Sequence, residues 1–286
     1  MNKKSFTLIE LLVVIVIIGI LAGVIMISTS SSINKAGLAK AQVFSSTIQN
    51  ELLSDLVSEW IFDEPQIGNE TRDTWKNNHG IVNGATYKAK ALGECILGGC
   101  YSFDGQDDNI TIPTISFNSI SISIWIYSTN LNQNGFLVSK GNVNEEWQLF
   151  LESNNLKWTG GLDRTKDVIT VIGDVNLTNN QWHHLFVSQE SKKARVFVDG
   201  VLIGSRDDAN NLVNTSRPIV LGAYIRSDNT YGYYFNGRLD DVRIYDTALS
   251  FSKIKQNYIA GLDSLLSNGT ISRGEYYEKI NTLAYE

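Results

Sequence analysis

The sequence is poor in the residues that most metal and nucleophile chemistry depends on. Two cysteines cannot supply a paired Cys-x-x-Cys zinc motif, and three histidines leave little for a His-based centre. His183 and His184 are neighbours, so on a strand they point to opposite faces and cannot share one metal. No G-x-S-x-G elbow or P-loop occurs. Base is not in excess either: 24 Lys and Arg against 30 Asp and Glu give a net charge of -6, which argues against a general nucleic-acid binder. With 43% hydrophobic and 19% charged residues, and only three prolines, the 286-residue chain is neither disordered nor collagen-like.

What is abundant sits first at the N-terminus. Leu11 to Asn34 carries no charge, which is long enough for a helix to cross the hydrocarbon layer. Lys3 and Lys4 precede this run, so the positive-inside rule places the N-terminus in the cytoplasm and the remainder outside. Four lysines and three acids in residues 1–56 leave that remainder at -7. A cleaved secretory signal fits less well, because no convincing A-x-A-like site follows. Glu10 is the anomaly: within a spanning segment a carboxylate either snorkels to the interface or has a partner. Beyond the membrane Phe44, Ile48, Leu52 and Leu56 recur every four residues as a helical stripe. From Phe6 to Asp55 the helix would run for roughly 75 Å. Ser28 to Ser32 and Gly37 mark a place for a kink or a melted turn.

The string Lys3-Lys4-Ser5-Phe6-Thr7-Leu8-Ile9-Glu10-Leu11-Leu12-Val13-Val14-Ile15 resembles the leader and first turns of type IV pilins and pseudopilins. The resemblance implies cleavage by a prepilin peptidase between Ser5 and Phe6, followed by N-methylation of Phe6 by the family's N-methylase. Glu10 then falls on the family's acidic position, although Ser5 stands where Gly is usual. In lipid a carboxylate seeks a cation, and the free N-terminal ammonium at Phe6 of a neighbouring subunit supplies one. The partners implied are other pilin subunits, the processing enzymes and the membrane.

From Leu56 the period changes to two. Ile120, Ile122, Ile124 and Ile126 alternate with Ser119, Ser121, Ser123 and Trp125, predicting a half-buried strand. Similar runs at residues 60–62, 135–139, 147–151, 168–172, 184–188, 219–223 and 233–236, separated by Asn- and Gly-rich loops, predict a sandwich. Asp199-Gly200 between apolar runs predicts a two-residue hairpin turn. Phe103, Trp125 and Trp182 read as core.

Several pieces resemble concanavalin A-like or laminin G-like jelly rolls: Trp60-Ile-Phe-Asp63-Glu64, Tyr101-Ser-Phe-Asp104-Gly-Gln-Asp107, Ile122-Ser-Ile-Trp125-Ile, Asn180-Gln-Trp182-His-His184, Val196-Phe-Val-Asp199-Gly200 and Phe235 to Tyr245. The resemblance spans Leu56 to Ala260. It implies a structural calcium joining Asp63 and Glu64 to Asp240 or Asp241, with Asp73 nearby; the alternative is that these acids cap turns or face water. In the pentraxin branch an acidic loop after Leu-Gly holds the ligand through calcium, whereas here Leu221-Gly222 is followed by Ala223-Tyr224-Ile225-Arg226. A glycan, if bound, would stack on exposed aromatics, for which Trp147, Trp158, Tyr231 and Tyr233 are the candidates; the alternative is that they are core. The E-x-D-x-x-E string of glucanase relatives is missing from Glu145-Glu146-Trp147-Gln148-Leu149-Phe150-Leu151-Glu152, so the chain is read as a non-enzyme.

Cys95 and Cys100 enclose a short Gly-containing loop and are expected to form a disulfide worth on the order of 2 kcal/mol. Ser250 is expected to cap a helix from Phe251 to about Leu266, and Ser272 with Glu275 to box a second, giving a C-terminal helical hairpin. The fold class is therefore a long N-terminal α-helix, transmembrane in its first half, followed by an all-β concanavalin A-like jelly-roll sandwich and a short helical hairpin. The expected divisions are a leader over 1–5, the helix over 6–55, the sandwich over 56–249 and the tail over 250–286. The function expected is a minor or tip pilin-like subunit that displays a lectin-like domain at the cell surface. A pseudopilin of a type II secretion or DNA-uptake machine is the alternative, and a surface glycoside hydrolase using Glu145 and Glu152 a third.

Overall fold

The computed structural model describes residues 54–284, apart from 90–93, 97, 143–145, 154, 161–167, 172–176 and 178. Ser5, Phe6, Glu10 and the apolar run lie outside the described residues, as does the 6–55 helix up to Leu53. Among the described residues no helix is long and apolar enough to cross a membrane.

The strands in chain order are β1 Leu56–Trp60, β2 Glu70–Thr71, β3 Gly80–Asn83, β4 Thr86–Lys88, β5 Cys100–Asp104, β6 Asn109–Ile112, β7 Ser119–Tyr127, β8 Gly135–Lys140 and β9 Trp147–Glu152. They continue as β10 Asn155–Gly160, β11 Val168–Val171, β12 Trp182–Glu190, β13 Lys193–Val198, β14 Val201–Arg206, β15 Ile219–Leu221, β16 Tyr224–Ile225, β17 Tyr231–Gly232 and β18 Asn236–Tyr245. Helices α1 Phe251–Ser267 and α2 Arg273–Ala284 end the chain. One sheet runs β14-β13-β12-β7-β18-β5-β4, with β1 also on β18, and the other runs β11-β10-β9-β8-β15-β6-β3-β2. Every registered pair in both is antiparallel. The core cluster draws on both sheets, with Ile120, Ile122, Ile124 and Ile126 against Leu149, Leu151 and Trp158.

Local chemistry explains the connections. Asp199 and Gly200 both take left-handed backbone angles, φ 51° and 78°, as a two-residue turn between β13 and β14 requires. β18 changes partner midway: Asn236 to Leu239 pair with β5, Val242 to Tyr245 with β1, and the register shifts between Asp240 and Arg243. Asp241 sits in that bulge at φ 48°.

Three expectations need correction. β7 is buried on both faces rather than one, because the helical hairpin packs Tyr258, Leu262 and Leu265 over Trp125 and Trp182. Residues 233–235 form no strand: Tyr233 is at φ 52°, and the chain re-enters the sheet only at Asn236. Ser250 occupies the N-cap position of α1, but its hydroxyl meets Ser252 and makes no cap bond. The Ser272–Glu275 box forms in full: Glu275 Oε2 accepts the Ser272 N–H at 2.7 Å, and Ser272 Oγ accepts the Glu275 N–H at 3.2 Å.

Cys95 and Cys100 are disulfide-bonded with Cα atoms 5.5 Å apart. The loop they close is held from two sides. Asn268, which ends α1, donates through Nδ2 to the carbonyls of Ile96 at 2.8 Å and Cys95 at 3.3 Å. From the sandwich, Arg238 Nη1 donates to the Glu94 carbonyl at 2.9 Å.

Candidate functional site

The outer face of the second sheet carries a ladder of aromatic rings. Phe136 on β8 pairs across the ladder with Phe150 on β9, which in turn pairs with Lys157 on β10. The Phe136 and Phe150 rings stack at 4.6 Å, 9° from parallel. After β15 the chain folds back as the β16–β17 hairpin, placing Tyr224 4.8 Å and Tyr233 5.9 Å from the Phe136 ring. Phe136, Phe150 and Tyr224 are buried, whereas Tyr233 is 53% exposed. Tyr233 therefore presents one ring to solvent while the other rings support it.

The backbone makes that ring a fixed feature. Phe136 N–H donates to the Tyr233 carbonyl at 2.9 Å, and Phe235 N–H to the Gly222 carbonyl at 2.8 Å. A bulky residue at positive φ is uncommon and costs energy that the surroundings must supply. Arg226 lies beside Tyr233 with Cζ 5.9 Å from the ring centroid, and its Nη1 donates to the Tyr231 carbonyl at 2.9 Å.

The predicted ligand aromatics separate on this geometry. Trp147 and Trp158 have no exposure and stack on each other at 5.9 Å inside the sandwich, so the expectation of solvent-facing rings fails for both. Their strands place Trp147, Leu149 and Leu151 on one parity and Phe150 on the other. Tyr231 is half-buried, packs against Val220, Ala223 and Ile225, and meets Thr111 Oγ1 through its hydroxyl at 3.2 Å. Only Tyr233 of the four offers an open face. Arg226, Phe136, Phe150 and Tyr224 were missed; the one signal available was the Ala223-Tyr224-Ile225-Arg226 run where an acidic loop was sought.

The predicted calcium acids also divide. Asp73 Oδ1 accepts the N–H groups of Glu59 at 3.1 Å, Trp75 at 2.9 Å and Lys76 at 3.0 Å, and Oδ2 that of Asn78 at 3.1 Å. Burial pushes its carboxyl up, but these four backbone donors outweigh burial and hold it below the usual range. Asp73 thus anchors a turn, and Glu64 is exposed. Asp63, Asp240 and Asp241 do share a neighbourhood. Burial, then the charge of Asp241, then that of Asp63 raise the Asp240 carboxyl well above the ordinary range. Asp241 is raised by burial and opposed by Arg243, whose guanidinium meets it at 2.7 Å and Glu59 at 2.7 Å. Oxygen donors in a field with more acid than base suit a hard cation. Among the described residues, however, three ligand atoms come within 4.8 Å of one another only at Asp104, Asp107 and Asp108, and at Asp240 with the disulfide-bonded Cys95 and Cys100. The fit is one of charge rather than of converged ligands.

Two arrangements, one of acids and one of serine with histidine, do not support hydrolysis. Glu152 is paired with Lys157, while Glu145 lies outside the described residues. Ser123 Oγ and His184 Nε2 meet at 2.8 Å, but both residues have no exposure, and α1 seals them with Tyr258 stacked 5.9 Å from the imidazole. Burial lowers the His184 pKa to about 3, leaving a neutral ring used for packing.

Comparison with known proteins fits this architecture. Residues 104–255, over half of the chain, match the family model of the concanavalin A-like lectin/glucanases superfamily, and residues 1–26 match the prokaryotic N-terminal methylation motif. None of the curated proteins matches the chain in sequence. Among solved structures, domain 4 of AbnA, a GH43 extracellular arabinanase from Geobacillus stearothermophilus in complex with arabinotriose, is 19% identical with a TM-score of 0.55, over 71% of this chain and 98% of that one. The botulinum neurotoxin serotype D ligand-binding domain in complex with N-acetylneuraminic acid is 16% identical with a TM-score of 0.57, over 75% of this chain and 53% of that one. The binding domain of Paraclostridial Mosquitocidal Protein 1 is 18% identical with a TM-score of 0.54, over 74% and 53%. The chain spans about half the length of those two toxin chains, and at such identities the likeness is one of fold. A methylation motif joined to a lectin-like sandwich points to a non-enzymatic protein. The chain belongs to the concanavalin A-like lectin/glucanases superfamily and carries a type IV prepilin methylation motif at its N-terminus.

Proposed function

We propose that the protein is a minor or tip subunit of a type IV pilin-like filament, and that its sandwich binds carbohydrate at the open face of Tyr233. The observation that carries the reading is the union of a methylation motif at residues 1–26 with a sandwich on which Tyr233, the open one of the four candidate aromatics, caps a buried ring ladder. A sugar ring stacks on such a face through its C–H groups, and rigid support lowers the ordering cost of binding. Two structural neighbours are described in complex with arabinotriose and with N-acetylneuraminic acid, which supports a glycan for this fold. A head of over 200 residues is bulky for a repeating shaft, which favours a rare position. The precursor would be a single-pass membrane protein with its N-terminus inside, and the mature subunit would stand in a filament at the cell surface. A structural calcium between Asp63 and the Asp240–Asp241 bulge belongs to the same reading, supported by the acidic field there.

Mass spectrometry of material sheared from intact cells tests the filament part. A peptide beginning at N-methylated Phe6 is expected in the sheared fraction. The same peptide confined to the membrane fraction would favour a pseudopilin, and an uncut Met1 would reduce the protein to a tethered lectin-like domain. For the ligand, Tyr233→Ala is expected to abolish retention on any glycan surface that holds the native chain.

A further inference from the structure

We infer that the Tyr233 site selects glycans bearing a carboxylate, and that Arg226 is the residue that recognises the acid; the inference rests on the carbohydrate-binding reading above. Arg226 is exposed yet held in one pose. Its Nη1 donates to the Tyr231 carbonyl at 2.9 Å and to Thr230 Oγ1 at 3.5 Å, and its Cζ lies beside Tyr233, 5.9 Å from the ring centroid. Gly232 forms the floor beneath it: a Cβ there would meet Arg226 Nη2 at 2.2 Å and Cζ at 2.5 Å, so only glycine lets the guanidinium lie in this place.

The contacts leave a defined set of donors. Among the described residues Arg226 hydrogen-bonds through Nη1 alone and forms no ion pair, so Nε and Nη2 keep their N–H groups for a ligand. Other arginines are committed: Arg195 to Asp207, Arg206 to Asp208, and Arg243 to Glu59 and Asp241. The Nε–Nη2 edge of a guanidinium matches the two oxygens of a carboxylate in a fork that an ammonium cannot reproduce. Arg217, just before β15, brings a second guanidinium to this turn, its Nη1 donating to the Arg226 carbonyl at 3.3 Å and to Asn229 Oδ1 at 2.9 Å. Asp228 is the nearby acid, but Thr230 holds it: the Thr230 hydroxyl donates at 2.6 Å and the Thr230 N–H at 2.9 Å. A sugar stacked on Tyr233 therefore has a fixed, planar cation at its edge in a chain of net charge -6. A neutral sugar gains the stacking contact only, and an acidic one gains the fork as well.

The test compares matched sugars on the full chain in detergent, immobilised for surface plasmon resonance: lactose against sialyllactose, and oligogalacturonate against its methyl ester. The acidic member of each pair is expected to bind at least about tenfold tighter in the native chain. Arg226→Gln is expected to bring that ratio close to one, and Arg226→Lys, which keeps the charge and loses the fork, to leave an intermediate ratio. Melting curves of both variants check folding, and Arg226→Lys carries the test should Arg226→Gln not fold. Equal binding of the acidic and neutral members in the native chain overturns the inference, as does a preference that survives Arg226→Gln. Binding of neither member of either pair overturns the carbohydrate reading itself, and the inference with it.

Discussion

Asp240 Oδ2 accepts the backbone N–H of Ile96 at 2.7 Å, joining the bulge of β18 to the loop closed by Cys95 and Cys100. The other oxygen accepts the Asp241 N–H at 2.7 Å, so one carboxyl ties the place where β18 changes partner to the loop on which α1 rests. Asn at this position keeps one acceptor and turns an NH2 toward a buried donor. Asp240→Asn should therefore destabilise the domain by about 1–3 kcal/mol. A urea titration reads this as a lowered midpoint, and a midpoint equal to that of the native chain would show that the two bonds are dispensable.

The pH dependence of stability should carry the mark of His184. Its folded pKa is about 3 against 6.5 for a free imidazole, because burial between Trp125 and Tyr258 excludes the charged form. Above pH 6.5 neither state holds the proton, and the native contacts count in full. As pH falls below 6.5 the unfolded chain takes up a proton that the folded one refuses, so stability is lost by up to ~1.4 kcal/mol per pH unit. Asp240 acts with the opposite sign: its raised pKa lets the folded state keep a proton, and stability falls as pH rises through that raised value. Thermal midpoints at pH 7 and pH 5 in the native chain and in His184→Gln would separate the two. The drop on acidification should shrink in the variant, and an equal drop in both would remove His184 as its cause.

Much of the framework was legible because it rests on local chemistry. Asp199-Gly200 can take the positive angles of a tight turn, and Ser272 with Glu275 can satisfy a helix start by themselves. The alternation of Ile120 to Ile126 reported the inner face of β7 correctly, but the outer face depends on where α1 docks, which no local pattern encodes. Trp147 and Trp158 lie near loops in sequence, yet they share the inward parity of Leu149 and Leu156, and strand position decided their burial. The ring ladder draws on β8, β9 and the β16–β17 hairpin, and Arg226 meets Tyr233 only once that hairpin closes. A site assembled from three separate segments leaves no spacing to read.

Calcium gives a prediction of stability. Asp241 and Asp63 raise the proton affinity of Asp240, and Asp63 raises that of Asp241, so a divalent cation placed among them would relieve a cost the folded chain carries without it. At free calcium of about a hundred times its Kd the gain would be roughly 2.7 kcal/mol. Chelation should lower the melting temperature of the native chain, and Asp63→Asn should remove most of the response. A melting curve unchanged by chelation, with no calcium found by elemental analysis, would leave these acids as turn and bulge anchors only.

Glu10 carries the assembly prediction. A charged side chain inside a spanning helix costs up to about 3 kcal/mol, the full cost falling at the helix centre, and Glu10, in the first turns of this helix, is held best there by a cation. Cleavage after Ser5 would turn Phe6 into a chain end with a free ammonium, so processing itself would create the cation that the Glu10 of an adjacent subunit can accept. Glu10→Ala should thus insert into the membrane as well as the native chain and be processed, because both steps read the apolar run and the leader. The filament yield should fall several-fold, since the subunit loses the one polar contact that fixes its depth against a neighbour. Membrane fractionation checks the first expectation and recovery of sheared filaments the second. Native yield from Glu10→Ala would show that packing of the apolar helices alone sets the assembly, and that Glu10 merely reaches the interface.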